Sequence, residues 1–497
     1  MFQIPIKAVS QARLAICGNE ETVKSICEYI EEDGEKWAER PYISVKEGDG
    51  FVSRTFGQVT EDVQSLAKAL KARGICGNVM LYAQNSYQWA VADLAVMGYV
   101  GVCVPIDREW TAYDVCHVLS AVDVTAILYE RERAQVIGEV KRRFPEICCL
   151  CIEDCFEELI AVGGSIAGKP EGRRDREATA MILFTSGTTN RPKAIPLTQI
   201  NLLYNWNALN SRTPMSVADV SYIFLPLHHV YAGVANFLYT ILSGMQIYLC
   251  SDRSRIVEEM LEIRPTIVCT VPLLLARIYE ARSPQVMDML RNIRFLYCGG
   301  SFTDPDMKRF FVDSGVTLLE AYGTTETASV IALAKPGDSD LDCSGVILEG
   351  LDVRIDHPDS NGVGEIIVGG GSVSAGYLDR NDRYSEFDSD GFYHTGDLGC
   401  LDGEGRLYLK GRKKRMILTA NGKNVYVDEL ETLLLENPAI RSVAVFEEEH
   451  HPAARVHTDL PAGEVYAYME KVNASLPKYK RIKNIYIKSE TEGGRIK

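Results

Sequence analysis

Phe184-Thr185-Ser186-Gly187-Thr188-Thr189-Asn190-Arg191-Pro192-Lys193 is the stretch on which the reading of this chain turns. It lies between two apolar runs, 180–184 and 194–197. Short apolar runs bounded by turn residues are the pattern of buried strands. The link between them is too polar to be core, with four hydroxyls, one glycine and two cations. Gly187 lets the backbone bend and approach a ligand closely. Backbone N–H groups, hydroxyls and a lysine charge together suit a polyanion such as a triphosphate. On composition alone, an ordinary solvent-exposed hairpin accounts for the stretch equally well.

The run resembles the phosphate-binding loop of the adenylate-forming enzymes: acyl-CoA synthetases, adenylation domains and luciferases. There the loop reads aromatic-Thr-Ser-Gly-Ser/Thr-Thr-Gly-x-Pro-Lys-Gly. Asn190 and Ala194 stand here where that pattern has glycine. Asn tolerates positive φ better than most residues, so the first change is mild. Ala194 is the change expected to restrict loop motion. The resemblance implies that Thr185, Ser186, Gly187, Thr188 and Thr189 bind the nucleotide and that Lys193 is catalytic.

The whole chain sets bounds on what such a loop can serve. At 497 residues it is too long for one core, so two or more domains are expected. Hydrophobic residues at 46% and charged residues at 24% are ordinary for a globular protein. A formal net charge of −15 argues against general nucleic-acid binding. The 14 cysteines show no zinc-site spacing and no disulfide framework, which suits reduced thiols in a cytoplasm. The first residues lack the apolar core of a signal peptide. The most apolar window, 230–250, contains Asn236, Gly244 and Gln246 and reads as a buried helix followed by a strand, with no transmembrane segment expected.

Taken in order, the chain alternates. A helix over 20–32 and a strand over 42–46 come first. An amphipathic helix over 59–73 buries Val63, Leu66, Ala67 and Leu70 on one face and ends at Gly74. Strand 79–83, helix 87–99 and strand 102–105 follow, then helix 112–121, strand 126–129 and helix 134–144. Strand–helix–strand alternation implies a parallel sheet with crossover helices. Residues 152–178 read as polar and poorly periodic. Within them Gly163, Gly168 and Lys169 have Walker A spacing, but Pro170 follows where that motif needs Ser or Thr for magnesium. Thr198 caps a helix to about residue 209. Residues 265–272 and 293–297 read as buried strands, the second running into Cys298-Gly299-Gly300-Ser301.

Other motifs extend the resemblance. Leu225-Pro226-Leu227-His228-His229 resembles the family segment whose histidine lines the acyl pocket, which assigns that role to His229 and leaves His228 as packing. Gly299, Gly300 and Ser301 fall in the adenine pocket by the same likeness, since glycines at a strand end let a flat ring lie against the backbone. Tyr322-Gly323-Thr324-Thr325-Glu326 matches the family's Tyr-Gly-x-Thr-Glu. It implies stacking of Tyr322 on adenine, a bond from Thr325 to the α-phosphate and Mg²⁺ held by Glu326. Gly323 leaves room for the substrate carboxylate, and Val271 shapes pocket depth. Tyr393-His394-Thr395-Gly396-Asp397 reads as a glycine turn, and the resemblance makes Asp397 the ribose ligand. Gly411-Arg412-Lys413-Lys414 resembles the family's hinge, with Arg412 on the ribose and Lys414 as pivot. Beyond it, a helix opens near Asp428, and Gly422 would line the channel for the pantetheine of CoA.

The fold class implied is α/β. A large N-terminal domain, 1–411, carries parallel-sheet layers and a β-rich subdomain, and a small mobile α+β domain covers 412–497. The chemistry implied is ATP-dependent joining of a fatty or related carboxylic acid to CoA through an acyl-adenylate, with release of pyrophosphate and then AMP. The tail 476–482 points towards the long-chain fatty-acid branch. An acyl-carrier protein in place of CoA is an alternative acceptor. Arg495 marks the largest departure, because it stands where the family has its catalytic lysine. Arg keeps the charge but is planar and forked, so a catalytically weakened nucleotide-binding protein is a further alternative.

Overall fold

The computed structural model describes residues 24–48, 50–185, 192–250, 252–300, 303–338, 340–378, 386–418, 424–448 and 451–488. The fold is α/β. It divides into two compact units, one of residues 1–352 with 368–393 and one of 353–367 with 394–497.

Among the described residues, the first unit holds two sheets. In the smaller, Gly77–Tyr82 lies between Gly101–Pro105 and Val124–Tyr129, with Cys148–Cys151 and Thr179–Thr185 beyond them. All these strands run parallel, and Lys193–Thr198 closes one edge antiparallel to Thr179–Thr185. The expected strand–helix alternation is therefore present. Helix Ala112–Ala121 has the bounds that its pattern gives. Helix Phe56–Ala72 is capped by Thr55, and Gly74 past its end takes φ +76°, a conformation open to glycine.

Among the described residues the larger sheet has nine strands, six of them a parallel run: Pro41–Glu47, Gln246–Leu249, Val220–Ile223, Ile267–Thr270, Phe295–Gly299 and Leu318–Tyr322. Residues 230–250 form a buried helix and then a strand, as the apolar window suggests. Its first part, Val230–Leu238, is wound as a π-helix before a single α-turn, Tyr239–Leu242. Strand Ile267–Thr270 is shorter than its apolar run, because Pro272 begins helix Pro272–Glu280.

The segment after the small sheet's edge strand Cys148–Cys151 departs from the expectation. Residues 152–165 are a helix, Ile152–Ser165, with Ile152, Phe156, Leu159 and Gly163 buried. The Walker-like glycine is its contact point. A Cβ on Gly163 would lie 1.8 Å from the Ser65 carbonyl oxygen, so only glycine allows this approach to helix Phe56–Ala72. Lys169 pairs with Glu35 at 2.9 Å on the surface.

In the second unit, a small core gathers Ile417, Val425, Leu430, Leu434, Val456 and Met469. It lies under a three-stranded sheet, Ile440–Glu448, His451–Thr458 and Asn484–Lys488, and helices Val427–Leu435 and Ala462–Ser475. Strand Tyr393–Leu401 runs antiparallel to Leu407–Arg412, joined by the turn at Gly405. Among the described residues, no helix is long and apolar enough to cross a membrane.

Candidate active site

In the first unit the site is built around the hairpin of the opening motif. Thr185 and Lys193 are direct partners where Thr179–Thr185 and Lys193–Thr198 begin to separate. Ser186, Gly187, Thr188 and Thr189 lie outside the described residues. Residues 371–378 run beside the second strand. Leu378 N–H donates to the Ala194 carbonyl at 3.0 Å, and the Ser374 hydroxyl donates to the Pro196 carbonyl at 2.8 Å. Ser374 N–H also donates to the Glu326 carbonyl at 2.7 Å. One short segment thus ties the strand of Lys193 to the turn of Glu326. Helix Gln199–Arg212 holds that segment from behind, through Asn201 Nδ2 to the carbonyls of Gly371 and Val373 at 2.7 and 3.1 Å.

Strand Leu318–Tyr322 ends at Gly323 and turns through a 3₁₀ segment, Thr325–Thr327. The turn closes tightly, with Ala328 and Ser329 at φ 55° and 106°. A Cβ on Gly323 would fall 1.5 Å from the Ser329 carbonyl oxygen. The fold itself therefore demands this glycine, beside any room it leaves for a substrate. Thr325 and Glu326 are buried. Burial pushes the Glu326 carboxyl up, and hydrogen bonds from its own backbone and from tyrosine hydroxyls partly offset this.

The Tyr377 hydroxyl lies 3.0 Å from Glu326 Oε1 and also meets the Glu386 carboxylate. The other Glu386 oxygen, Oε1, is 3.2 Å from Lys193 Nζ. That ammonium sits 4.6 Å from the centroid of the Tyr377 ring. Lys193, Glu386, Tyr377 and Glu326 therefore form one connected polar chain.

Gly299 and Ala321 are register partners on adjacent parallel strands. This sets Gly299-Gly300 beside Tyr322-Gly323 at the carboxyl ends of the strands, where open α/β sheets bind ligands. Gly300 has φ +90°, and a Cβ there would lie 3.8 Å from Val271 Cγ1. A Cβ on Gly299 would lie 3.6 Å from the Tyr231 ring. The Tyr231 hydroxyl donates to the Tyr297 carbonyl at 3.2 Å. Ser301 is outside the described residues.

His229 precedes the π-helix and is exposed to a cleft of about 790 Å³, which His228, Asp107, Arg108 and Asn85 also line. The surrounding walls push both imidazoles down, His228 to about 4 despite Asp107 at 3.7 Å. His228 is therefore neutral at pH 7.

In the second unit, Asp397 faces Arg412 across paired strands, with Arg412 Nε 2.7 Å from Asp397 Oδ1. The expected glycine turn is instead one continuous strand, Tyr393–Leu401, bent where Gly396 takes φ +70° and the register shifts past Leu398. Glu365 supports this bend. Its Oε1 accepts from Gly396 N–H at 3.1 Å, and its Oε2 lies 2.6 Å from Lys413 Nζ. The Lys414 side chain, Gly422 and Arg495 lie outside the described residues.

A family profile described as AMP-binding enzyme matches residues 30–378. The chain belongs to the AMP-binding enzyme family. Its relatives include the long-chain-fatty-acid–CoA ligase heimdall of Drosophila melanogaster, 26% identical over 84% of this chain and 74% of that protein. A feruloyl-CoA synthase of an Amycolatopsis species is 28% identical over 80% of this chain and 81% of that one. Among solved structures, the O-succinylbenzoate coenzyme A synthetase MenE of Bacillus subtilis, in complex with ATP and magnesium ion, superposes with a TM-score of 0.79. It is 24% identical and covers 93% of this chain and 95% of that one.

For this member of the AMP-binding enzyme family, the first unit brings Thr185, Lys193, Thr325, Glu326, Tyr322 and the Gly299-Gly300 pair to strand ends and turns of two sheets. Asp397 and Arg412 meet in the second unit. Sequence reasoning gives no site role to three connecting residues. Tyr377 is visible in the sequence only as the aromatic after Gly376. Glu386 and Glu365 act through contacts distant in sequence.

Proposed function

We propose that this protein is an ATP-dependent carboxylate–CoA ligase that forms an acyl-adenylate, releases pyrophosphate, and then passes the acyl group to CoA with release of AMP. The observation that carries this reading is the connection between the hairpin lysine and the turn carboxylate, Lys193 to Glu326, through Glu386 and Tyr377. This chain links the lysine read as the charge for phosphates to the carboxylate read as the cation ligand.

A carboxylate is anionic and resonance-stabilised, and the triphosphate it must attack is anionic too. The site must therefore supply positive charge and exclude water. Lys193 supplies part of that charge. Glu326 suits Mg²⁺, because it offers a hard carboxylate oxygen at a largely dehydrated position and Mg²⁺ binds through one or two carboxylates plus substrate phosphates. When bound, the ion neutralises phosphate charge. In this reading Thr325 bonds the α-phosphate, Tyr322 and the Gly299-Gly300 backbone hold adenine, and Asp397 with Arg412 holds ribose. His229 and Val271 border the acyl group. Residues 412–497 are the mobile part, hinged near Lys414, with Gly422 on the CoA channel and Arg495 as the donor to the acyl oxygen. A cytoplasmic setting suits the free thiols among the described residues.

Arg495 favours a second reading, in which adenylation is weak. An acyl-carrier protein is the alternative acceptor. ATP–pyrophosphate exchange across fatty and aryl acids, followed by AMP release with CoA or a pantetheinylated carrier, tests all three. Exchange plus CoA-dependent release supports the ligase. Exchange with transfer only to the carrier replaces CoA as acceptor. ATP binding with no exchange for any acid removes the ligase reading.

A further inference from the structure

Glu386 falls within no motif, yet its two carboxylate oxygens are both engaged. One lies 3.2 Å from Lys193 Nζ, and the other meets the Tyr377 hydroxyl that also contacts Glu326. The Lys193 side chain is 11% exposed and that of Glu386 31%, so the pair is only partly screened by solvent. The Tyr377 ring closes the lysine in from one side. An ammonium held by a carboxylate and an aromatic face is anchored in position and partly neutralised.

The proposal rests on the reading of Lys193 as a ligand of the nucleotide phosphates. We propose that Glu386 is a positioning residue that holds Lys193 in reserve and sets nucleotide affinity by competing with the triphosphate for that ammonium. Binding then exchanges one anionic partner of Lys193 for another. The net gain from the lysine is what the triphosphate offers less what Glu386 gives up. The Tyr377 hydroxyl links this exchange to the carboxylate assigned to the metal, so the two charges of the site are positioned together. The design trades affinity for a lysine that is already ordered when the nucleotide arrives.

Calorimetric titration of the full chain with ATP and Mg²⁺, without any acid, tests this. E386Q keeps the size, removes the charge and leaves one acceptor oxygen, enough for the bond from Lys193 or from Tyr377. It should tighten ATP binding about 5-fold, the factor that an interaction of about 1 kcal/mol represents. E386D should return affinity towards wild type. In a K193M background E386Q should change affinity less than twofold. Unchanged or weaker binding in E386Q overturns the proposal. So does equal tightening in the K193M background, because Glu386 would then act on the nucleotide directly. If K193M alone leaves ATP affinity intact, the reading of Lys193 as a phosphate ligand fails first. A matching melting temperature for E386Q separates these outcomes from misfolding.

Discussion

Arg412 Nε lies 2.7 Å from Asp397 Oδ1, between residues that are direct partners in an antiparallel strand pair. The arginine side chain is 59% exposed, so the pair contributes at most about 1 kcal/mol to stability. Its proposed value lies in the ribose diol, which offers two donors to the carboxylate. D397N should keep the wild-type melting temperature and raise KM for ATP by about tenfold or more, the loss expected for hydrogen bonds to a charged group. Wild type should also discriminate against deoxy-ATP more strongly than D397N does. Equal discrimination by both would detach Asp397 from the ribose.

Two glycines with similar clashes should behave differently. G323A drives a Cβ to 1.5 Å from the Ser329 carbonyl, so the turn bearing Thr325 and Glu326 must move. Pyrophosphate exchange should fall at least about tenfold, because an ångström of misplacement at a reacting centre is costly. G163A clashes with Ser65 at 1.8 Å but lies between two helices. It should cost about 1–3 kcal/mol in denaturant unfolding and leave KM for ATP unchanged. An altered KM in G163A would revive the Walker-like spacing as functional.

Asp93 gives a pH prediction. It is fully buried, neither carboxylate oxygen has a hydrogen-bond partner among the described residues, and the nearby Cys103 thiol offers only weak compensation. Burial pushes its carboxyl up to about 7. The folded state therefore holds a proton that the unfolded chain releases near its ordinary value of 3.8. The stability tied to that proton is fully present below about pH 3.8 and is lost as pH rises through about 7. D93N should therefore melt higher than wild type at pH 8, with the gap closing towards pH 5. A gap independent of pH would mean that Asp93 is not titrating.

Arg495→Lys should raise pyrophosphate exchange, since a compact ammonium can reach a point that a planar fork cannot. The screen is the same acid panel with both proteins. No increase with any acid would show that Arg495 is not what limits adenylation.

Legibility followed the range of the interaction. Helix Phe56–Ala72 was readable because its apolar face and its terminal glycine are local, but its start at Phe56, capped by Thr55, lies three residues before the expected 59. The site motifs stand out in the sequence because each is a short run of consecutive residues. Helix Ile152–Ser165 escaped notice, although Ile152, Phe156, Leu159 and Gly163 share one face, because the polar tail after it diluted the pattern. Gly323 was assigned to substrate when its own turn already requires it. The bridge from Lys193 to Glu326 needed Tyr377 and Glu386, and only the folded chain brings those four together.

The wide winding of Val230–Leu238 has a practical corollary for protein engineering. A π-turn houses one more residue than an α-turn does. Removing a single residue there can be absorbed by tightening the coil, while strand Gln246–Leu249 keeps its pairing. Elsewhere in the large sheet the same excision would slip a ladder and turn side chains to the wrong face. Shortening this coil is thus a way to rotate His229 relative to the helix behind it without rebuilding the sheet.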